Sequence, residues 1–148
     1  MFDNWFEDIE VGARHVGKAV TVTEAHVVGF AGITGDHYAL HTDAEYAATT
    51  MFGKRIAHGL LVLSFGVGLV PLVPGRVLAF LGMDKVRFSA PTFLGDTVHP
   101  ELEITGKRDT SEGGIVVVDQ KIKNQGDTVV CSATLKLLMA RRPAATPE

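Results

Sequence analysis

Asp36 and His41 stand five positions apart in the stretch GDHYALH, residues 35–41, within a run that has few other charges. A carboxylate that is ionised near neutral pH can take a proton from water, and a neutral imidazole can hold the same water in line and pass its proton on. On a loop or an overhanging turn, a gap of four residues lets both side chains reach one solvent molecule. The competing reading is a loop stitched together by polar side chains, the commoner use of an Asp and a His in isolation. His37 beside the acid raises a metal reading with Asp36, His37 and His41 as ligands. Adjacent residues seldom converge on one ion and no fourth ligand is evident, so no metal is expected.

A second place for chemistry is His58-Gly59, at the head of the apolar run GLLVLSFGVGLVPLV, residues 59–73. Backbone N–H groups in the first turn of a helix have no partner within it, and the macrodipole adds partial positive charge there. Glycine has no Cβ, so a ligand oxygen can come close to the Gly59 amide. His58 reads as a packing or capping side chain rather than a second base. Ser64 on the same helix is read as bonding back to a carbonyl one turn earlier, with substrate contact as the alternative. Tyr38 either closes over a bound chain or packs the loop, and a pocket role is expected because a buried hydroxyl needs a partner.

These groups need a scaffold, and the rest of the chain supplies one. At 148 residues it fits one domain, and a chain of that size hides roughly 70% of its unfolded surface. The composition, 46% hydrophobic and 21% charged, is globular. A net charge of -3 offers no broad basic field, so nucleic acid is not an expected partner. The lone Cys131 rules out an internal disulfide and a cysteine-rich zinc site, and its alternating neighbours place it in a buried strand. The acidic start MFDNWFEDIE lacks the order of a secretory signal, and the 15-residue apolar run is broken by Pro71. It falls short of the ~20 residues of a membrane span. A cytoplasmic protein with no membrane partner is expected.

TEAHVVGFAGITG predicts a helix that starts at Thr21 or Thr23 and ends at Gly35. DAEYAATTMFG predicts a short one, capped by Thr42 or Asp43 and closed by Gly53. The run from Gly59 to about Val70 is apolar all round, so that helix should be surrounded by protein. Strict alternation in TVHPELEIT and VVCSATLKLLM predicts strands, and GIVVVDQKIK and RVLAFLGMDKVRFSA add two more. Four strands after one buried helix imply an α+β fold in which an antiparallel sheet curls around that helix. Residues 1–140 form one domain in this reading, and 141–148 a loose tail.

That order of elements resembles the hotdog fold. FAGITGDHYALHTDAEYA followed by IAHGLLVLSFGVGL resembles the MaoC-like acyl-CoA dehydratases, the family of (R)-specific enoyl-CoA hydratases. NWFEDIEVG and VRFSAPTFLGDTV extend the likeness over about residues 4 to 140. The family pattern usually has Asn-Pro where Tyr38 and Ala39 stand, a departure that leaves the acid and the imidazole in place and bears on substrate range. Some family members carry a serine that contacts the acid, and alignment puts Val67 there rather than Ser64.

The resemblance implies reversible addition of water to a trans-2-enoyl-CoA, giving an (R)-3-hydroxyacyl-CoA. Asp36 and His41 would be the catalytic pair and the Gly59 amide the donor to the thioester oxygen. It implies no metal or redox cofactor, since coenzyme A arrives with the substrate. The phosphates of coenzyme A would meet Lys54, Arg55, Lys85 or Arg87, although any of these can equally be a solvated surface charge. Relatives of this fold pair their sheets, so a homodimer or higher homo-oligomer is expected. Two other functions compete: a hotdog acyl-CoA thioesterase, and a non-catalytic acyl-binding subunit of a heteromeric dehydratase, which would not need both Asp36 and His41.

Overall fold

In a computed structural model, which describes residues 1–144, the chain runs β1 (Arg14–Val16), β2 (Val20–Thr21), α1 (Glu24–Thr34), α2 (Ala39–Thr42), α3 (Ala44–Ala48) and α4 (Gly59–Gly68). It continues with β3 (Val77–Phe88), β4 (Thr97–Asp109), β5 (Gly114–Lys123) and β6 (Val129–Met139). The strands pair antiparallel in the order β1-β4-β5-β6-β3, with β2 on the far end of β4. Ile104 faces Val118 and Val118 faces Leu135 across successive ladders, so the alternating apolar residues fall in rows on one face. Leu61, Val62 and Leu63 of α4 join the core formed by that face, where Leu102, Ile104, Val118, Leu135 and Leu137 are buried. Each such side chain contributes about 1.5–3 kcal/mol on burial. This is the expected α+β hotdog arrangement, a helix held in the curve of an antiparallel sheet.

The strands β1 and β2 leave no signal in the sequence, because runs of three and two residues are too short to show a period. In β3 the register shifts three times, and Lys85 takes a left-handed φ of 54° at the last of these bulges. Bulges of this kind bend a strand, here the outer one of the sheet.

The helix boundaries answer to caps. Thr23 precedes α1, and Gly35, with a φ of 78°, ends it. In α3 the Asp43 carboxylate accepts the Tyr46 N–H at 3.0 Å. The helix stops at Ala48, short of the expected Gly53. There the Thr49 and Thr50 hydroxyls donate to the Tyr46 and Ala47 carbonyls at 2.7 Å each, offering the backbone a local alternative to another turn. The helix α4 is not covered on every side as its composition implied: Leu60 is 60% exposed and Ser64 is open, because the sheet wraps only part of it in the single chain. No helix among the described residues is long and apolar enough to cross a membrane.

The expectation of a loose tail over 141–148 does not hold for its first residues. Arg141 donates to Asp109 at 2.7 Å, and Arg142 grips both oxygens of Asp8 at 2.6 and 2.7 Å. Residues 145–148, on which the rest of that expectation falls, lie outside the described residues.

Candidate active site

Gly35 turns the chain out of α1, and the next residue is Asp36. Its Oδ1 accepts the Tyr38 N–H at 3.3 Å, a side-chain-to-backbone turn that leads into the single turn of α2. That turn brings His41 back over the start of the loop. His41 is 9% exposed, and its Nδ1–H donates to the Ile56 carbonyl at 2.8 Å. A carbonyl can only accept, so in the neutral ring Nε2 is left as a lone-pair base.

His58, just before α4, is 2% exposed. Its Nε2–H donates to the backbone carbonyl of Asp36 at 2.9 Å, and its ring stacks on that of His41 with centroids 3.9 Å apart. A carboxylate oxygen of Asp36 and one ring nitrogen each of His41 and His58 all lie within 4.8 Å of one another. These three residues and Gly59 border a cavity of about 480 Å³. Phe52, Leu60, Val62, Phe88 and Val130 form its apolar wall. A polar corner on an apolar pocket suits a ligand with one reacting group on a hydrocarbon chain.

Gly59 sits where the first free amides of α4 meet the cavity. A Cβ there would come within 2.9 Å of the Phe88 ring, so glycine is needed both for that contact and for close approach of a ligand to the amide.

The structure thus brings together Asp36, His41, His58 and Gly59 and leaves the other candidates apart. Tyr38 does not take the expected pocket position. It precedes α2 on the outer side, 54% exposed, with its hydroxyl 3.2 Å from that of Tyr46 and its ring edge-on to His41. Ser64 is exposed and donates to the Leu60 carbonyl at 2.8 Å, the backbone bond one turn earlier. His58 has no capping hydrogen bond to α4, so the capping reading of it gives way to a bond with the Asp36 loop. Lys85 and Arg87 lie exposed on β3, outside the cavity lining, with Arg87 bonded to the neighbouring Val86 carbonyl. Lys54 sits over the Phe93 ring at 4.3 Å. Arg55 grips both oxygens of Glu24, and those hydrogen bonds hold the Glu24 carboxyl below its ordinary range. Both basic residues border a separate open depression of about 350 Å³.

Phe88, Val130 and Thr92 line the cavity too. Sequence reasoning placed the first two in strands without seeing that the ends of β3 and β6 reach the site. The segment VRFSAPT was the available signal.

Among the described residues, Asp36, His41 and His58 are also the one group of three whose atoms could hold a metal ion. His37 is not part of it. The fit is poor: His58 Nε2 is engaged with the Asp36 carbonyl and Nδ1 is shut off from solvent, so ligation would break the loop's own tie.

The fold and this corner define a hotdog domain with an acid, an imidazole and a helix N-terminus around one pocket. A Mycobacterium tuberculosis protein described as having a double hotdog fold superposes with a TM-score of 0.85 at 23% identity, covering 98% of this chain and 46% of that one. Residues 9–125 match the family described as MaoC like domain, and the chain belongs to that family. The (R)-specific enoyl-CoA hydratase of Aeromonas caviae is 35% identical over 135 residues, 88% of this chain and 97% of its own. Protein MaoC of Klebsiella aerogenes is 38% identical over 110 residues, 74% of this chain. The chain spans only 32% of that protein's length. Among solved structures, the monoamine oxidase regulatory protein from Archaeoglobus fulgius has a TM-score of 0.90 at 38% identity, covering 95% of this chain and 96% of that one.

Proposed function

We propose that this protein adds water reversibly to a trans-2-enoyl-CoA, giving an (R)-3-hydroxyacyl-CoA. The observation that carries the reading is the convergence of the Asp36 carboxylate and the His41 ring on one side of the cavity, with the Gly59 amide beside them. Water held between Asp36 and His41 loses a proton to this pair as its oxygen bonds to C3. The C2–C3 double-bond electrons move toward the thioester oxygen, which carries the growing charge and accepts a hydrogen bond donated by the Gly59 N–H. A proton from the acid/base pair then goes to C2, so one water is consumed and both groups return to their starting state. General acid/base help contributes ~100- to 10,000-fold and an oxyanion donor ~100- to 1000-fold, so both devices belong to an efficient enzyme. The Aeromonas caviae relative, whose name specifies an (R)-specific enoyl-CoA hydratase, supports the substrate class and the stereochemistry.

No cofactor is called on beyond the coenzyme A of the substrate. Lys54, which borders the separate open depression, is the favoured phosphate contact, since Arg55 is already committed to Glu24. A homodimer through β3 is also part of the proposal. Among the described residues that strand has one edge with no strand partner, and it exposes Leu78, Phe80, Leu81 and Phe88, a surface a second copy would cover. A cytoplasmic setting is compatible with the buried free thiol of Cys131.

The test is incubation of purified protein with crotonyl-CoA and longer trans-2-enoyl-CoAs, following the enoyl absorbance while titrating free thiol. Loss of absorbance without thiol supports hydration. Thiol release would show a thioesterase, and no change with any chain length would leave a binding subunit; either result overturns the proposal.

A further inference from the structure

We infer that His58 is a positioning residue for the hydration step, holding Asp36 and His41 in register with the head of α4. The inference deepens the hydratase reading of this site and rests on it. Three contacts carry it. His58 Nε2–H donates to the Asp36 carbonyl at 2.9 Å, the only side-chain hydrogen bond among those found in the described residues that ties the acid's own peptide to α4. The His58 ring lies on the His41 ring at 3.9 Å and an interplanar angle of 32°, with Phe30 against it at 5.0 Å, so it also sets the tilt of the imidazole. His58 immediately precedes Gly59, so the residue that fixes the loop is peptide-linked to the amide that would receive the thioester oxygen.

Asp36 needs such support, because it is exposed on a loop and, among the described residues, its carboxylate accepts only the Tyr38 N–H from within that loop. His58 itself is 2% exposed, and its Nδ1 has no hydrogen-bond partner among the described residues. A buried lone pair without a donor is the arrangement of a ring that gives its one hydrogen to Asp36 and takes no proton in exchange. The two stacked imidazoles are therefore opposite tautomers. His41 carries its hydrogen on Nδ1, bonded to Ile56, and His58 carries its hydrogen on Nε2, bonded to Asp36. One is left with a base facing the reaction, the other is a fixed strut.

The experiment compares His58→Gln, whose amide nitrogen reaches about as far as Nε2, with His58→Asn, whose amide reaches only as far as Nδ1. His58→Asn should lower kcat on crotonyl-CoA about 100-fold, the scale of a reacting group displaced by an ångström, while KM stays within about threefold. His58→Gln should recover kcat to within about tenfold of the parent. A purely structural role predicts instead that both variants lose rate only in proportion to the unfolded fraction. The inference falls if His58→Asn keeps kcat, if KM carries the loss, or if His58→Gln is as slow as His58→Asn. Should His58→Asn not fold, nitrogen-detected NMR of the imidazoles in the parent protein decides. Opposite tautomers at His41 and His58 uphold the inference; an Nδ1-protonated or doubly protonated His58 near neutral pH overturns it. A parent protein that shows these tautomers and no hydration sinks the hydratase reading and the role of His58 with it, whereas a parent that hydrates while the variants fail the pattern above sinks the inference alone.

Discussion

The two ends of α4 treat the same backbone problem in opposite ways. At the N-terminal end the first-turn amides that begin with Gly59 have no partner within the helix, and Gly59 and Leu60 border a cavity of about 480 Å³ where a ligand can satisfy them. At the C-terminal end the Gly66 carbonyl is closed off by Gln120 of β5, whose Nε2 donates to it at 2.6 Å with the whole residue only 1% exposed. The space beside that end is about 10 Å³. Both ends use a glycine for close approach. A Cβ at Gly59 would meet the Phe88 ring at 2.9 Å, and one at Gly66 would meet Gln120 Oε1 at 2.3 Å. An orphaned helix group that the protein satisfies itself stabilises the fold, and one it leaves open becomes a binding site.

On that contrast, damage at the open end should appear in rate and damage at the closed end in stability. The largest effect is expected from Asp36→Asn, which should lower kcat on crotonyl-CoA at least ~100-fold. Its melting temperature should stay close to the parent's, because Asp36 is exposed. His41→Ala should match that loss and also destabilise by about 1 kcal/mol, since the bond to the Ile56 carbonyl goes with it. A loss in rate below tenfold for either would return the pair to a loop-stitching role.

Gly59→Ala comes next, with kcat/KM expected to fall about 10- to 100-fold as the new methyl group crowds Phe88 and the amide. Adding Phe88→Leu should restore part of it, which steady-state kinetics on the double variant would show. Gln120→Leu at the closed end should leave kcat per folded molecule near the parent value. It should lower stability by about 1–3 kcal/mol in urea titration, because the Gly66 carbonyl is left buried and unpaired. Equal rate losses from Gly59→Ala and Gln120→Leu would erase the contrast.

The smallest effect concerns Cys131 on β6. Burial pushes its thiol up to about 11, so the folded protein should resist a disulfide reagent at mildly alkaline pH and react once unfolded. Prompt reaction in the folded state would mean that this part of the sheet opens readily.

Much of the scaffold was legible because it rests on short periods. Alternation in β4 and β6 put Leu102, Ile104, Leu135 and Leu137 on one face, and the ladders keep them there. The Thr23 and Gly35 signals bounded α1, since caps act within a turn. Tyr38 departs from the pocket position its sequence suggests because its direction depends on where α2 begins, a single turn that leaves no period to read.

What the sequence determined by itself was the inventory: an acid and an imidazole on one loop, an apolar helix headed by His58-Gly59, and strands that alternate. Which of these meet was decided only in three dimensions. His58 is separated from Asp36 by 22 positions and Gln120 from Gly66 by 54, and neither contact has a local signature. Side-chain period and capping are near-neighbour physics, carried in a few residues at a time. A hydrogen bond between distant segments exists only after the sheet has curled around α4, because only then does burial remove water as the alternative partner.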